Sequence, residues 1–167
     1  WKSSVSTARK HYHHTAYRFI MAADIWIFLT LLLAIAMSVP AINVYTHGTH
    51  ITVAHTMGAT IGINSFLLLA IAFDILHDTC IPLSQNIKWL NRGYLTANIS
   101  LLIFWISLIA AGILKARWQM SDTRIPFSSM MLQLRPCFII FFISGFSMIT
   151  GFLFILYPLL KNQAVCY

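Results

Sequence analysis

The stretch NVYTHGTHITVAHTMGATIGIN, residues 43–64, is the most informative part of this sequence. It places His47, His50, His55 and Met57 within eleven residues, at the point where an apolar run begins. Hydrocarbon tolerates an imidazole only where a partner binds it, so this stretch is the first place to look for chemistry. Whether the run lies in a membrane depends on the sequence around it.

The composition of the chain is typical of a membrane protein. Of its 167 residues, 59% are hydrophobic and 9% are charged, whereas roughly a quarter of the residues in soluble domains are charged. The net charge of +7 comes from Lys and Arg at the ends of apolar segments, where positive charge sets membrane topology. Basic and aromatic residues do not interleave in a patch, so we expect a lipid bilayer and no nucleic acid as partner.

The acidic residues and cysteines exclude several kinds of active site. The chain has no Glu and only four Asp, so it does not predict a paired-carboxylate site. The three cysteines, Cys80, Cys137 and Cys166, lie far apart and lack CxxC spacing. We therefore expect neither zinc or iron–sulfur ligation by cysteine nor a disulfide framework.

Four apolar runs are long enough to cross a bilayer, which takes roughly 20 residues. They cover residues 19–39, 51–73, 95–114 and 137–160. Each must be helical, because hydrocarbon cannot satisfy open backbone groups. The predicted fold class is all-α, a transmembrane helical bundle of four spans that forms a single membrane segment over residues 1–167.

Smaller signals refine this bundle. The pairs Gly58-x-x-x-Gly62 and Ser147-x-x-x-Gly151 predict close contacts between helices. Pro136 is expected at the end of a span, where proline commonly stops a helix. Lys and Arg precede the first span and are missing from the turn after it, which predicts a cytoplasmic N-terminus.

The spacing of His55 and Met57 indicates one possible chemistry. Residues two apart on an α-helix point about 200° apart, so one helix could present ligands to two planar cofactors. Imidazole and thioether are both axial ligands of haem iron. Two other interpretations stay open at this point. His55 could be hydrogen-bonded to a neighbouring helix, and Met57 could simply fill a gap in the packing.

The sequence also resembles a known family. NVYTHGTHITVAH and the Gly-rich helix after it resemble the tenth transmembrane helix of the nitric oxide reductase large subunit, in the haem–copper oxidase superfamily. HHTAYRFIMAADIWIFLTLLLAIAMSVPAIN resembles the ninth helix of that family. AAGILKARWQM, PF and LQLRPCF resemble its eleventh helix, the following loop and the start of its twelfth. The resemblance covers nearly the whole chain but only the last third of a family member, and it implies a bacterial inner (cytoplasmic) membrane protein.

The resemblance implies roles for individual residues. His55 matches the axial ligand of the high-spin haem b and is the expected catalytic residue of this chain. Met57 stands where the family usually has the histidine of the low-spin haem b. Either that haem is His/Met ligated, with its His from elsewhere, or it is lost or rearranged. Arg135 and Arg124 are expected to pair with haem propionates, although Arg124 fits a plain interfacial anchor equally well.

The remaining histidines and Asp24 are not expected to bind haem iron. His50 and His47 are expected to cap the helix or to bind propionates, in preference to iron. Asp24 lies inside the first span and could contact a proton path, or pair with Arg18 or Arg92. The HYHH tract, with His11, His13 and His14, is expected to lie in solvent or among headgroups.

The implied reaction couples two NO molecules, two electrons and two protons to give nitrous oxide and water. It needs a non-haem iron whose three histidines lie on earlier helices, which this chain lacks. The chain is therefore expected to work only with those helices, from another chain or a longer subunit, and with a cytochrome c-type or quinol electron donor. Oxygen reduction, a quinone-linked cytochrome b-type anchor and a cofactor-free scaffold of a respiratory complex remain alternatives.

Overall fold

The computed structural model describes residues 15–79, 87–121 and 126–163, and within them every element is helical. Helix α1 covers Thr15–Ser38, α2 covers Pro40–Thr46 and α3 covers His50–Met57. A π-helix, Gly58–Ser65, follows without a break and leads into α4, Phe66–Thr79. Helices α5, Ile87–Met120, and α6, Phe127–Gln163, complete the described chain.

Four of these helical segments are long and apolar enough to cross a membrane, which confirms the all-α prediction with four spans. The first span is α1, the second joins α3, the π-helix and α4, and the third and fourth lie in α5 and α6. Only 22–44% of each apolar window is buried. Lipid or other protein must therefore cover most of the remaining surface, as expected of a multi-pass membrane protein.

The spans run alternately up and down, as contacts between aromatic rings of different spans show. Trp26 of the first span meets Trp105 of the third edge to face, with ring centroids 6.0 Å apart. At one end of the bundle, Phe19 stacks on Phe73 at 5.2 Å and meets the ring of Tyr94 at 5.4 Å. These contacts join the first three spans, and the third packs along the fourth.

Small residues set how closely the helices approach, as the two sequence pairs predict. A Cβ on Gly62 would lie 2.6 Å from the ring of Trp26, and one on Gly151 would lie 2.7 Å from the backbone nitrogen of Ala97. Ser147 accepts a 2.7 Å hydrogen bond from Ser100 across the same interface. Without hydrophobic drive between helices in lipid, such close packing and polar contacts hold the bundle together.

Two local features differ from sequence expectation. Pro136 lies inside α6 and not at its end, because the helix begins nine residues earlier, at Phe127. The π-helix has no counterpart in the sequence interpretation. Gly58 and Gly62 within it, and Phe66 directly after it, are all buried.

Candidate functional site

The second span carries the candidate site. His55 lies in α3, three residues before the π-helix begins at Gly58. The ring of His55 is half-buried, and its Nδ1 is buried without a hydrogen-bond partner. Within the described residues the side chain makes no hydrogen bond or ion pair. The expectation that a neighbouring helix satisfies this imidazole is thus not met by the described part of the chain. An orphaned buried nitrogen of this kind requires a water or a partner from outside.

Met57 lies on the opposite flank of the same helix. Thr56, between the two residues, is exposed, while Ala54 and Gly58 are buried. Because successive residues turn by about 100°, His55 and Met57 flank the exposed face on either side. Met57 is half-buried and packs against the main hydrophobic core. Its position is compatible with the packing interpretation.

A polar stripe runs along the exposed face between these two flanks. It consists of Thr52, Thr56, Thr60 and Asn64, each exposed. The Thr56 hydroxyl donates to the Thr52 carbonyl at 3.1 Å, and Thr60 donates to Thr56 in the same way. The spacing of four could have revealed this stripe from sequence. Asn64, near the middle of the span, makes no hydrogen bond within the described ranges. Exposing its carboxamide to lipid alone would be energetically costly.

The glycine face is already occupied by protein. The close contact between helices that the pair Gly58 and Gly62 predicts is present, and it is made by the first span. Positions for Cβ atoms on these glycines collide with Thr30 and with the ring of Trp26. The indole Nε1 of Trp105 lies 3.1 Å from the Cβ position of Gly58 and is itself buried without a partner. A planar group could therefore reach this span only from its exposed side.

The turn before the second span gathers the other two histidines. His47 is exposed, and Gly48 adopts a φ of 70°, in the left-handed region that favours glycine. Lys115 of the third span donates to the Gly48 carbonyl at 2.8 Å. Thr49 caps the helix, since its hydroxyl accepts from the Ile51 nitrogen at 3.3 Å. The capping is thus performed by Thr49, a residue that the sequence interpretation did not single out.

His50 connects this turn to the fourth span. Its ring is half-buried, with its centroid 5.3 Å from that of Phe138. Phe138 also lines a groove of about 570 Å³ on α6, together with the exposed Arg135. His50, Phe138 and Arg135 therefore lie at the same end of the bundle as His47 and Lys115. Arg124, and His11, His13 and His14, lie outside the described residues.

The cations at the opposite end do not pair with Asp24. Arg18 donates to the side-chain oxygen of Asn91, and its guanidinium carbon lies 4.9 Å from the ring centroid of Tyr94. Arg92 lies over the ring of Trp89 at 6.0 Å. Asp24 is exposed on the first span, and no ion pair to it occurs among the residues that the structure describes.

The described residues contain no group of three His, Cys, Asp or Glu side chains able to hold a metal ion together. The part of the chain that the structure describes therefore supplies no complete set of protein ligands for a metal ion. Comparison with protein-family models, curated protein sequences and solved structures finds no match to this chain.

Proposed function

We propose that this chain forms one wall of a haem pocket in a membrane oxidoreductase of the nitric oxide reductase type, with His55 as an axial ligand. The single observation that carries the proposal is the state of His55. It is an imidazole inside a membrane span, half-buried, with no hydrogen bond in the described chain and with an orphaned Nδ1. Intramembrane histidines without a protein partner are candidates for cofactor binding.

The fit of a haem to these residues is good in one respect and incomplete in another. The exposed flank of His55 is free to meet a planar group, while the glycine face is not. However, a metal-bound histidine normally donates its other ring N–H to an acceptor. The described chain supplies no acceptor to Nδ1, so the proposal requires a water or a helix of the partner protein there.

The polar stripe supports a protein partner on the exposed side of the second span. Asn64 and the threonine hydroxyls would lie against the missing helices of the catalytic subunit, which also carry the ligands of the non-haem iron. When bound, the high-spin haem would supply the iron centre at which NO, or oxygen in a related enzyme, is reduced. The residues of this chain would hold it: His55 by ligation, and Arg135, His50 and His47 at the end where propionates could bind.

The low-spin haem b is the less supported half of the proposal. Met57 would be its ligand only if its sulfur turned away from the core that it packs against. This observation favours a second candidate function, in which the chain is a cofactor-free scaffold subunit. A quinone-linked cytochrome b anchor is less favoured, because the third and fourth spans contain no histidine to oppose His55.

The proposed location is the bacterial cytoplasmic membrane, with the N-terminal end of the first span facing the cytoplasm. Cations lie at both ends of the bundle, so the excess of Lys and Arg that favours this orientation is small. Labelling with a membrane-impermeant thiol reagent tests the orientation, in a cysteine-free chain that carries Gln119→Cys. Reaction from the periplasmic side supports the proposal, and reaction only from the cytoplasmic side overturns it.

The test of the proposed function uses the complex purified from membranes with its natural partner chains. The visible and electron paramagnetic resonance spectra of the wild-type complex should show a high-spin haem. His55→Ala should abolish that signal, while Leu95→Ala, which changes an exposed side chain of the third span outside the proposed pocket, should leave it intact. An unchanged high-spin signal in His55→Ala, or a wild-type complex without haem, would support the scaffold function instead.

A further inference from the structure

A second site lies far from His55, between the third and fourth spans. A groove of about 520 Å³ opens there, with walls formed by Trp89 of α5 and by one face of α6. The α6 residues that line it are Leu153, Phe154, Leu156, Tyr157 and Leu160. Its volume falls within the range of small-molecule sites in proteins, roughly 300–1,000 Å³.

The groove follows from how the two helices separate. At Gly93 they touch, because a Cβ there would lie 2.8 Å from the carbonyl oxygen of Gly151. One turn earlier along α5, the residue on this face is Trp89. Its ring meets that of Phe154 edge to face, with ring centroids 5.3 Å apart. The bulky indole holds the helices apart and leaves an apolar channel beside it.

Two cations of α5 lie next to Trp89, which forms one wall of this channel, along the sequence or in contact with its ring. Lys88 and Arg92 lie one turn apart on the same face of α5, and both are exposed. The guanidinium of Arg92 rests over the Trp89 ring at 6.0 Å, a cation–π contact that holds it beside the groove. Within the described ranges, neither cation forms an ion pair. Positive charge above an apolar channel complements a ligand with an anionic head and a hydrocarbon tail.

We propose that this groove binds one acyl chain of an anionic phospholipid, whose headgroup phosphate lies between Lys88 and Arg92. Trp89 and Tyr157 are the residue types that settle at headgroup depth, so the groove lies at the membrane interface. Basic pockets between transmembrane helices are known headgroup sites. The site is independent of the haem proposal, since none of its residues lies in the second span.

The proposal is tested by native mass spectrometry of the full protein, released from vesicles of phosphatidylcholine containing phosphatidylglycerol. We expect phosphatidylglycerol to be retained in preference to phosphatidylcholine. Each charge removed should weaken retention about fivefold, so Lys88→Gln with Arg92→Gln should nearly abolish it. Arg117→Gln, at the opposite end of α5 and also exposed, is the matched control and should change nothing.

A second variant separates groove binding from general attraction to charge. Leu153→Trp fills the channel without altering any charge, and it should reduce retention as strongly as the double charge variant. Equal retention of both lipids, or normal retention by Leu153→Trp, would overturn the proposal. So would preferential retention of a neutral quinone that persists after both charges are removed. Brominated phosphatidylglycerol should quench the fluorescence of the unmodified protein more strongly than brominated phosphatidylcholine does, and this difference should be lost in Trp89→Phe, a check that requires no change to the groove's charges.

Discussion

The interface between the third and fourth spans offers the sharpest test of how this bundle is held together. A Cβ added at Gly151 would lie 2.7 Å from the backbone nitrogen of Ala97, about 0.7 Å short of ordinary contact at 3.4 Å. A backbone atom cannot swing aside as a side chain can, so Gly151→Ala must push the helices apart. Overpacking of this kind costs about 1–3 kcal/mol.

Gly145 provides a matched control six residues away on the same helix. A Cβ there would lie 3.7 Å from the ring of Phe104, which is ordinary contact. Both changes replace a helical glycine by alanine, so the gain in helix propensity, up to about 1 kcal/mol, cancels between them. We therefore expect Gly151→Ala to be less stable than Gly145→Ala by about 1–3 kcal/mol.

The assay is reversible unfolding in mixed micelles with increasing mole fraction of sodium dodecyl sulfate, followed by near-ultraviolet circular dichroism of the tryptophans. The two variants are compared with each other and with the wild type. Should Gly151→Ala unfold at the same or a higher detergent fraction than Gly145→Ala, the close approach at Ala97 would not be a determinant of stability.

Three further outcomes follow from particular contacts. A double-mutant cycle of Ser100→Ala and Ser147→Ala, in the same assay, should give a coupling near 0.6 kcal/mol, and a coupling of zero would remove their hydrogen bond from the account. Lys115→Met should lower stability by about 1 kcal/mol because the Gly48 carbonyl loses its donor, and hydrogen exchange in that turn should quicken; unchanged exchange would contradict this. Met57→Leu should leave the low-spin haem spectrum unaltered if Met57 only packs, whereas loss of that spectrum would establish ligation.

The sequence predicts the architecture well because its physical cause is local and strong. Apolar runs of about 20 residues leave the backbone no alternative to helix in hydrocarbon, and the glycine and serine pairs mark the close contacts. The ends of the helices are less predictable. α6 continues through Pro136, since neighbouring turns in a long helix can absorb a missing donor.

The candidate site was only partly accessible from sequence. His55 stood out because an imidazole is rare in an apolar run, and the structure leaves it without a partner in the described chain. The pairing of Lys115 with the Gly48 carbonyl, 67 residues apart, carries no local signal. The groove beside Trp89 lies between two helices, so no single segment encodes it, and no residue pattern in the sequence indicates the π-helix.

The central claim is that the imidazole of His55 holds a haem iron within the membrane. An experimental structure of the complex isolated from membranes tests it most directly, at a resolution that separates iron from side-chain density. We expect a porphyrin on the exposed flank of the second span, with iron bonded to a ring nitrogen of His55. Density showing only lipid or aliphatic side chains against that ring, with no metal, would contradict it.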